Sequence, residues 1–398
     1  MKTGALGAVT LFTLAVCGPF PVGAQTGSTN EIRVGQTLPY SGPVSALAAQ
    51  GRALGAFLAK INAEGGINGR KVKLISLDDA YSPPKTVEQT RKLVEQDEVL
   101  LMFGSLGTAT NSAVHRYLNG KKVPQLFVVS GATKWADPKN FPWTIPGVVA
   151  YETESSIYAR HILQTQPNAR IAILSQNDDF GRDFVAGFKR TLGSKAAAMI
   201  VAETTYDTSA PTINSQLAAL KASGANILFS VTVGKFTTQM IKGIVDIGWK
   251  PEVTYVPAGS SSRVILEPAG LENATGLITS DNRKDINDDQ WSNDEDMKEY
   301  FAFMKQFLPG SDPHNAPYSF GYLSGHLLVQ VLKACGDDLS RENILRQATS
   351  LQKLKLPLLL PGVTVSTGPD DYRPFKQLQL RRFNGKNWIG IGDLREEQ

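Results

Sequence analysis

The sequence predicts an α/β chain of two doubly wound lobes, each a parallel sheet with helices on both faces. Three observations predict it. Strand-like and helix-like periods alternate from residue 32 onward, the pattern restarts near residue 147, and two buried strand ends open into small-residue turns that carry hydroxyls. At 398 residues the chain exceeds one typical core, so two domains are expected.

In order, residues 32–38 read as a strand and 46–63 as a helix closed by Gly65-Gly66. Residues 71–78 alternate as a strand. Ser82 is placed to cap a helix with Pro83 in its first turn and Val87, Leu93 and Val94 turned inward. The buried strand 99–103 runs into Gly104-Ser105-Leu106-Gly107-Thr108, and strand 127–129 runs into Ser130-Gly131-Ala132-Thr133. A helix mouth offers free N–H groups and a partial positive charge, so two neighbouring turns of this make suit a small carboxylate. Either turn alone is also an ordinary strand-to-helix connection with hydroxyl caps.

The second run gives helix 152–164, strand 169–175, a helix from Phe180, strand 199–204, helix 211–222, strand 227–231, helix 237–247 and a short strand 254–257. Residues 143–147 and 276–281 are the candidate crossings between lobes. Beyond Asp281 an acidic stretch, 285–296, leads through Ser292 and Glu295, an expected capping box, into a helix holding 297–307. Helices 317–335 and 340–351 follow, and strands 377–383 and 388–391 close the chain. Those late helices need a sheet to cover, and the first lobe is the natural host. The first lobe is therefore expected to combine 31–146 with 281–355, and the second 147–280 with 356–398.

The N-terminus reads as an address rather than as fold. Met1-Lys2 is basic, residues 5–16 are apolar but too short to span a bilayer, and Val22-Gly23-Ala24 precedes Gln25. A cleavable secretory signal, 1–24, is expected. Lipidation at Cys17 is disfavoured because Val16 fits poorly before a modified cysteine. Removing the signal leaves Cys335 as the sole cysteine, so no internal disulfide can form, and Cys335 is expected to be a buried small hydrophobe. No later apolar run reaches transmembrane length.

The formal charge of +4 is small and mixed along the chain, which gives no case for nucleic acid. The four histidines, His115, His161, His314 and His326, are scattered. No G-x-S-x-G, H-E-x-x-H, metal-spaced cysteine pair or G-x-x-x-x-G-K-[ST] occurs, so an enzyme, a metal site and a cofactor are not expected.

Several segments together carry a resemblance: Tyr40-Ser41-Gly42-Pro43, Ile61-Asn62-Ala63-Glu64-Gly65-Gly66-Ile67-Asn68-Gly69-Arg70, Asp78-Asp79, the two strand-end turns, and Asn177-Asp178-Asp179-Phe180-Gly181. In this order the chain resembles the periplasmic solute-binding proteins of ABC transporters, in the leucine, isoleucine and valine group (type I periplasmic binding proteins). The resemblance implies two Rossmann-like lobes joined by three hinge strands, the third near 356–366, closing on a ligand between them. It implies a periplasmic, monomeric carrier serving membrane permease subunits. The roles it assigns fall on Thr108 and Thr133 for the ligand carboxylate, with N–H groups near Thr110 and at Ala132 or Thr133. Phe180 would cover the ligand, and Leu47, Trp135, Tyr151, Asn177, Tyr318 and Tyr322 would be pocket positions.

One departure bears on the ligand. Amino-acid binders of this group supply an acid for the ligand ammonium from the loop after the strand at 254–257. Here that loop is Ala258-Gly259-Ser260-Ser261-Ser262-Arg263, with no carboxylate. Asp178 and Asp179 read as helix caps rather than replacements. Lys134 and Lys235 are candidate extra positive charges, with a solvated role the simpler reading. The expected ligand is a carboxylate with an apolar or aromatic tail. A zwitterionic branched-chain amino acid is the alternative, and a ligand sensor of the same fold is a further one.

Overall fold

The computed structural model describes residues 31–396, with 1, 3 and 4. The expected signal 1–24 and Cys17 therefore lie outside the described residues, apart from those three.

The first run of elements is β1 (Glu31–Leu38), α1 (Ala49–Ala63), β2 (Lys71–Asp78), α2 (Pro83–Glu95), β3 (Leu101–Phe103), α3 (Thr108–Gly120), β4 (Gln125–Val128) and β5 (Thr144–Pro146). Its strands form one sheet in the order β2-β1-β3-β4-β5, and every pairing is parallel. The second run is α4 (Tyr151–Thr165), β6 (Ile171–Gln176), α5 (Asp179–Leu192), α6 (Ala196–Met199), β7 (Ile200–Tyr206), α7 (Asn214–Ala222), β8 (Ile227–Val231), α8 (Lys235–Asp246), β9 (Val253–Tyr255), α9 (Arg263–Leu266) and β10 (Ile278–Asp281). Then come α10 (Glu295–Phe307), α11 (Ala316–Ala334), α12 (Arg341–Ala348), β11 (Gln377–Phe383) and β12 (Trp388–Glu396). The second sheet runs β12-β11-β10-β9-β8-β6-β7.

The second sheet is mixed at one edge. β11 lies antiparallel to β10, and β12 lies antiparallel to β11. A tight turn joins these last two strands, where Asn384 N–H donates to the carbonyl of Asn387 (3.1 Å). A short turn can join only antiparallel neighbours, because a parallel return needs a crossover of a dozen residues or more.

Side-chain capping explains the starts of α5, α10 and α12. Asp178 caps α5 by accepting from the N–H groups of Phe180 (3.0 Å) and Gly181 (3.3 Å). Ser340 caps α12 through Asn343 N–H (3.3 Å). The expected Ser292–Glu295 box does not form. Asp294 caps α10 instead, accepting from Met297 N–H (3.3 Å), and the same carboxylate holds the Lys284 ammonium (2.7 Å). A charged acceptor with a buried cation beside it outcompetes a serine two residues earlier. Ser82 precedes α2 but makes no side-chain cap. Its carbonyl accepts from the N–H (2.8 Å) and the hydroxyl (3.0 Å) of Thr86.

The late helices cover the first sheet through α1. Phe57 of α1 makes edge contacts with Phe303 of α10 (6.0 Å) and Tyr322 of α11 (5.4 Å). Cys335 is buried at the end of α11, its thiol donating to the Val331 carbonyl (3.2 Å). No described helix is long and apolar enough to cross a membrane.

Candidate ligand cleft between the lobes

Strand order places the site. In the first sheet the direction of winding reverses between β1 and β3, and in the second between β6 and β8. Loops leaving the strands on either side of a reversal diverge and leave a crevice at the carboxyl edge. The two crevices face each other across one cleft. Leu47, Leu106, Gly107 and Val129 line it from the first sheet's edge, and Phe180, Val233 and Ala258 to Arg263 from the second's.

The lobes are closed on one another. Lys235 N–H donates to the Pro43 carbonyl (3.1 Å) and Thr133 N–H to the Asp183 carboxylate (2.8 Å). The Lys134 ammonium pairs with Asp179, which Arg182 also holds, and these two cations keep the Asp179 carboxyl below its ordinary range. At Gly234 the backbone has φ +58°, and an added Cβ would lie 2.4 Å from the Pro43 carbonyl, so glycine is what lets the lobes meet there.

The first turn opens a helix mouth. Gly107 stands at the N-cap of α3 with φ +108°, where a Cβ would meet the Thr110 hydroxyl at 2.5 Å and the Tyr81 ring at 2.6 Å. The first N–H bonded back along this turn is that of Asn111, to the Gly107 carbonyl (3.3 Å), so the N–H groups of 108–110 precede the intrahelical ladder. Beside them lies a hydroxyl cluster. Thr108 Oγ1 is 2.8 Å from Ser130 Oγ and 3.3 Å from Tyr151 OH. Trp135 Nε1 donates to Ser130 Oγ (2.8 Å). An indole N–H can only donate. Ser130 therefore accepts from Trp135 and from Tyr151 OH (3.4 Å), and its own proton is free to go to Thr108. Tyr151 stacks on Phe184 (4.6 Å) and meets the edge of Phe180 (5.1 Å), so apolar and hydroxyl groups adjoin.

The expected site residues divide by place. Leu47, Tyr151 and Phe180 line the cleft. Thr108 is buried behind the cleft wall and is bonded to Tyr151. Thr110 is fully buried, its hydroxyl returned to the Leu106 carbonyl (2.8 Å). Ala132 is buried in the second turn and Thr133 is exposed, its N–H taken by Asp183. Burial raises the Asp183 carboxyl above its ordinary value. Trp135 is wholly buried behind Ser130. Asn177 is exposed and donates to Asp207 (2.9 Å). Tyr318 and Tyr322 are in the core, the latter packed on Phe57 and Phe303; Ala316, Pro317, Ser319, Phe320 and Leu323 of the same helix face the cleft instead. Lys235 donates to the Ala210 carbonyl (3.2 Å).

The cleft residues that sequence reasoning missed include Gln50, Tyr81, Glu154 and Ser262. Glu154 is the most consequential. Its carboxylate accepts from Tyr158 OH (2.6 Å) and Ala258 N–H (2.7 Å). Burial pushes its pKa up to about 7 against those bonds. It sits on the first turn of α4, in a run of helix that is buried on nearly every side, so no amphipathic stripe marks it. The loop after β9 does lack an acid, and Arg263 there pairs with Glu267 (3.1 Å). Among the described residues no cluster of metal-ligating side chains occurs.

The profile of the family described as periplasmic binding protein matches residues 31–387. A relative called Leu/Ile/Val-binding protein homolog 7, from Brucella melitensis, is 23% identical over 316 residues, 76% of this chain and 75% of its own. A branched-chain amino acid ABC transporter protein from Thermus thermophilus, solved with bound valine, superposes with a TM-score of 0.81 at 14% identity, covering 92% of this chain and 97% of its own. A solute-binding protein from R. palustris in complex with 4-hydroxybenzoate gives 0.77 at 17% identity, covering 92% and 98%. The chain belongs to the periplasmic binding protein family, a family of solute binders rather than enzymes.

Proposed function

We propose that this periplasmic binding protein captures a small carboxylate with an apolar or aromatic tail between its lobes and delivers it to a membrane permease. The observation that carries the reading is the hydroxyl cluster of Thr108, Ser130 and Tyr151 beside the Gly107 mouth of α3. Hydroxyls and N–H groups there can donate together to one carboxylate. Leu47, Leu106, Val129, Val149, Phe180 and Val233 offer the tail an apolar wall. The carboxylate docks on the first lobe, the second closes over it, and the crossings near 143–147, 276–281 and 356–366 act as the hinge. Closure is favoured by whatever contacts only the closed state makes. The ligands named for the two solved neighbours, valine and 4-hydroxybenzoate, are both small carboxylates. A monomer that binds without turnover, from a chain cleaved after residue 24, is the matching expectation.

A branched-chain amino acid is the second reading, and Glu154 favours it. A buried carboxylate on the cleft wall can receive a ligand ammonium.

The test is a thermal-shift panel on ligand-stripped protein, comparing aromatic and 2-oxo carboxylates with leucine, isoleucine and valine. Ligand at about 100 times its Kd stabilises by roughly 2.7 kcal/mol, a shift of a few degrees. Proton coupling separates the two readings further. Near pH 7 Glu154 is partly protonated. An ammonium beside it lowers its pKa and releases a proton on binding, whereas a carboxylate without ammonium releases none. Calorimetry in buffers of different ionisation heat reads the sign, and Glu154→Gln should abolish the release.

A further inference from the structure

Two residues that line the cleft each carry a buried polar atom with no partner. Gln50 is 5% exposed and its Nε2 bonds to nothing; Ser262 is 8% exposed and its Oγ bonds to nothing. Both line the same cleft, from opposite lobes. Ser262 stands at the N-cap of α9, where a serine hydroxyl normally takes a helix N–H, yet it makes no such bond. Only its carbonyl engages the helix, through Ile265 N–H (2.9 Å) and Leu266 N–H (3.2 Å). The main chain of Gln50 is held by α11, where a Cβ on Gly321 would lie 2.1 Å from the Gln50 backbone carbonyl. Buried donors are almost always satisfied, so two left open on residues that line one cleft point to an acceptor that arrives with the ligand.

Strand order says which part of the ligand it is. The hydroxyl cluster bridges the ends of β3 and β4. Gln50 stays by the end of β1, since a Cβ on its neighbour Gly51 would meet Tyr40, Leu38 and Gln36. With strands about 4.8 Å apart, the end of β1 and the middle of the β3–β4 gap are separated by roughly 7 Å. That is close to the length of a benzene ring with substituents at both ends.

We propose that Gln50 and Ser262 form a second polar subsite that binds a hydroxyl or carbonyl oxygen at the far end of the ligand, making the cargo an oxygen-tailed carboxylate. This rests on the carboxylate reading above. Gln50 Nε2 donates to the tail oxygen. The Ser262 hydroxyl donates to a carbonyl or accepts from a hydroxyl.

Calorimetry on the full, ligand-stripped chain with 4-hydroxybenzoate, 4-methylbenzoate and benzoate tests it. The methyl compound matches the hydroxyl compound in size but carries no tail oxygen. The wild type should prefer 4-hydroxybenzoate over 4-methylbenzoate by about tenfold or more. Gln50→Met and Ser262→Ala should each reduce that preference to within about threefold while 4-methylbenzoate still binds. A wild type without preference, or variants that keep it, overturns the subsite and leaves the carboxylate seat standing. If none of the three binds to folded protein, the subsite falls, and the thermal-shift panel above decides the carboxylate reading separately. Melting curves of both variants establish folding, and since each removes one partner independently, failure of one to fold leaves the other decisive.

Discussion

The turn after β3 and the turn after β4 look alike in sequence and do different work. Both follow a buried strand, and both carry a small residue and threonine. The first opens α3, a helix of 13 residues, and the second opens only a short 3-10 turn at Thr133–Ala136. Thr108 is 1% exposed and joins a hydroxyl cluster, whereas Thr133 is exposed and gives its N–H to Asp183 of the opposite lobe. A full helix concentrates dipole and free N–H groups at its mouth, and a single 3-10 turn does so far less. The first turn is thus suited to hold an anion from outside. The second holds an anion of the protein's own, and so latches the lobes.

Substitutions can break that comparison. Thr108→Val should have the largest effect, weakening the carboxylate ligand by about 10- to 100-fold, the scale of a hydrogen bond to a charged group. Titration calorimetry checks it, and an unchanged Kd would remove Thr108 from the seat. Gly107→Ala should lower stability by roughly 1–3 kcal/mol, since alanine is strained at φ +108° and its methyl would press on Tyr81 and Thr110. Denaturant melts measure this. Asp183→Ala should weaken all ligands alike, by about two- to tenfold, because it makes closure less favourable without touching the ligand. A loss that differed among ligands would place Asp183 in the ligand site instead. Thr133→Val should be smallest, within about threefold, because its backbone N–H survives the change. A loss matching that of Thr108→Val would show the two turns to be equivalent after all.

Glu154 adds a pH dependence with a definite sign. Its folded pKa of about 7 lies above the ordinary 4.5, so the folded state binds the extra proton between those values. Stability from this group is therefore present below about pH 4.5 and declines as pH rises through 7. Glu154→Gln should flatten that part of the pH–stability profile. Over the whole window the change is about 3 kcal/mol.

Local signals in the chain were enough for the alternation of elements. Gly65-Gly66 after α1, Pro83 in α2 and Asp178 before α5 each act within one turn, so their physics is readable without neighbours. The family resemblance was legible for the same reason, since its motifs sit at strand ends where short-range geometry dictates residue type. Phe180 and Tyr151, which the resemblance offered as pocket positions, line the cleft. Tyr318 and Tyr322 were not separable from their neighbours on α11, because the helix is apolar on most of its surface and only packing on Phe57 decides which side is core.

Sequence by itself determined the fold class, the family and the anion-friendly turn at Gly107 and Thr108, because backbone conformation and helix capping depend on residues within a few positions. Tertiary structure alone decided that Asp183 takes the second turn, that Glu154 is a buried cleft carboxylate, and that Gln50 and Ser262 line one cavity, each with a buried polar atom left without a partner. Those residues stand 50, 104 and 212 positions from the groups they meet or share a cavity with, in Thr133, Ala258 and each other. Only closure of two sheets edge to edge brings such groups together, and no local pattern records it.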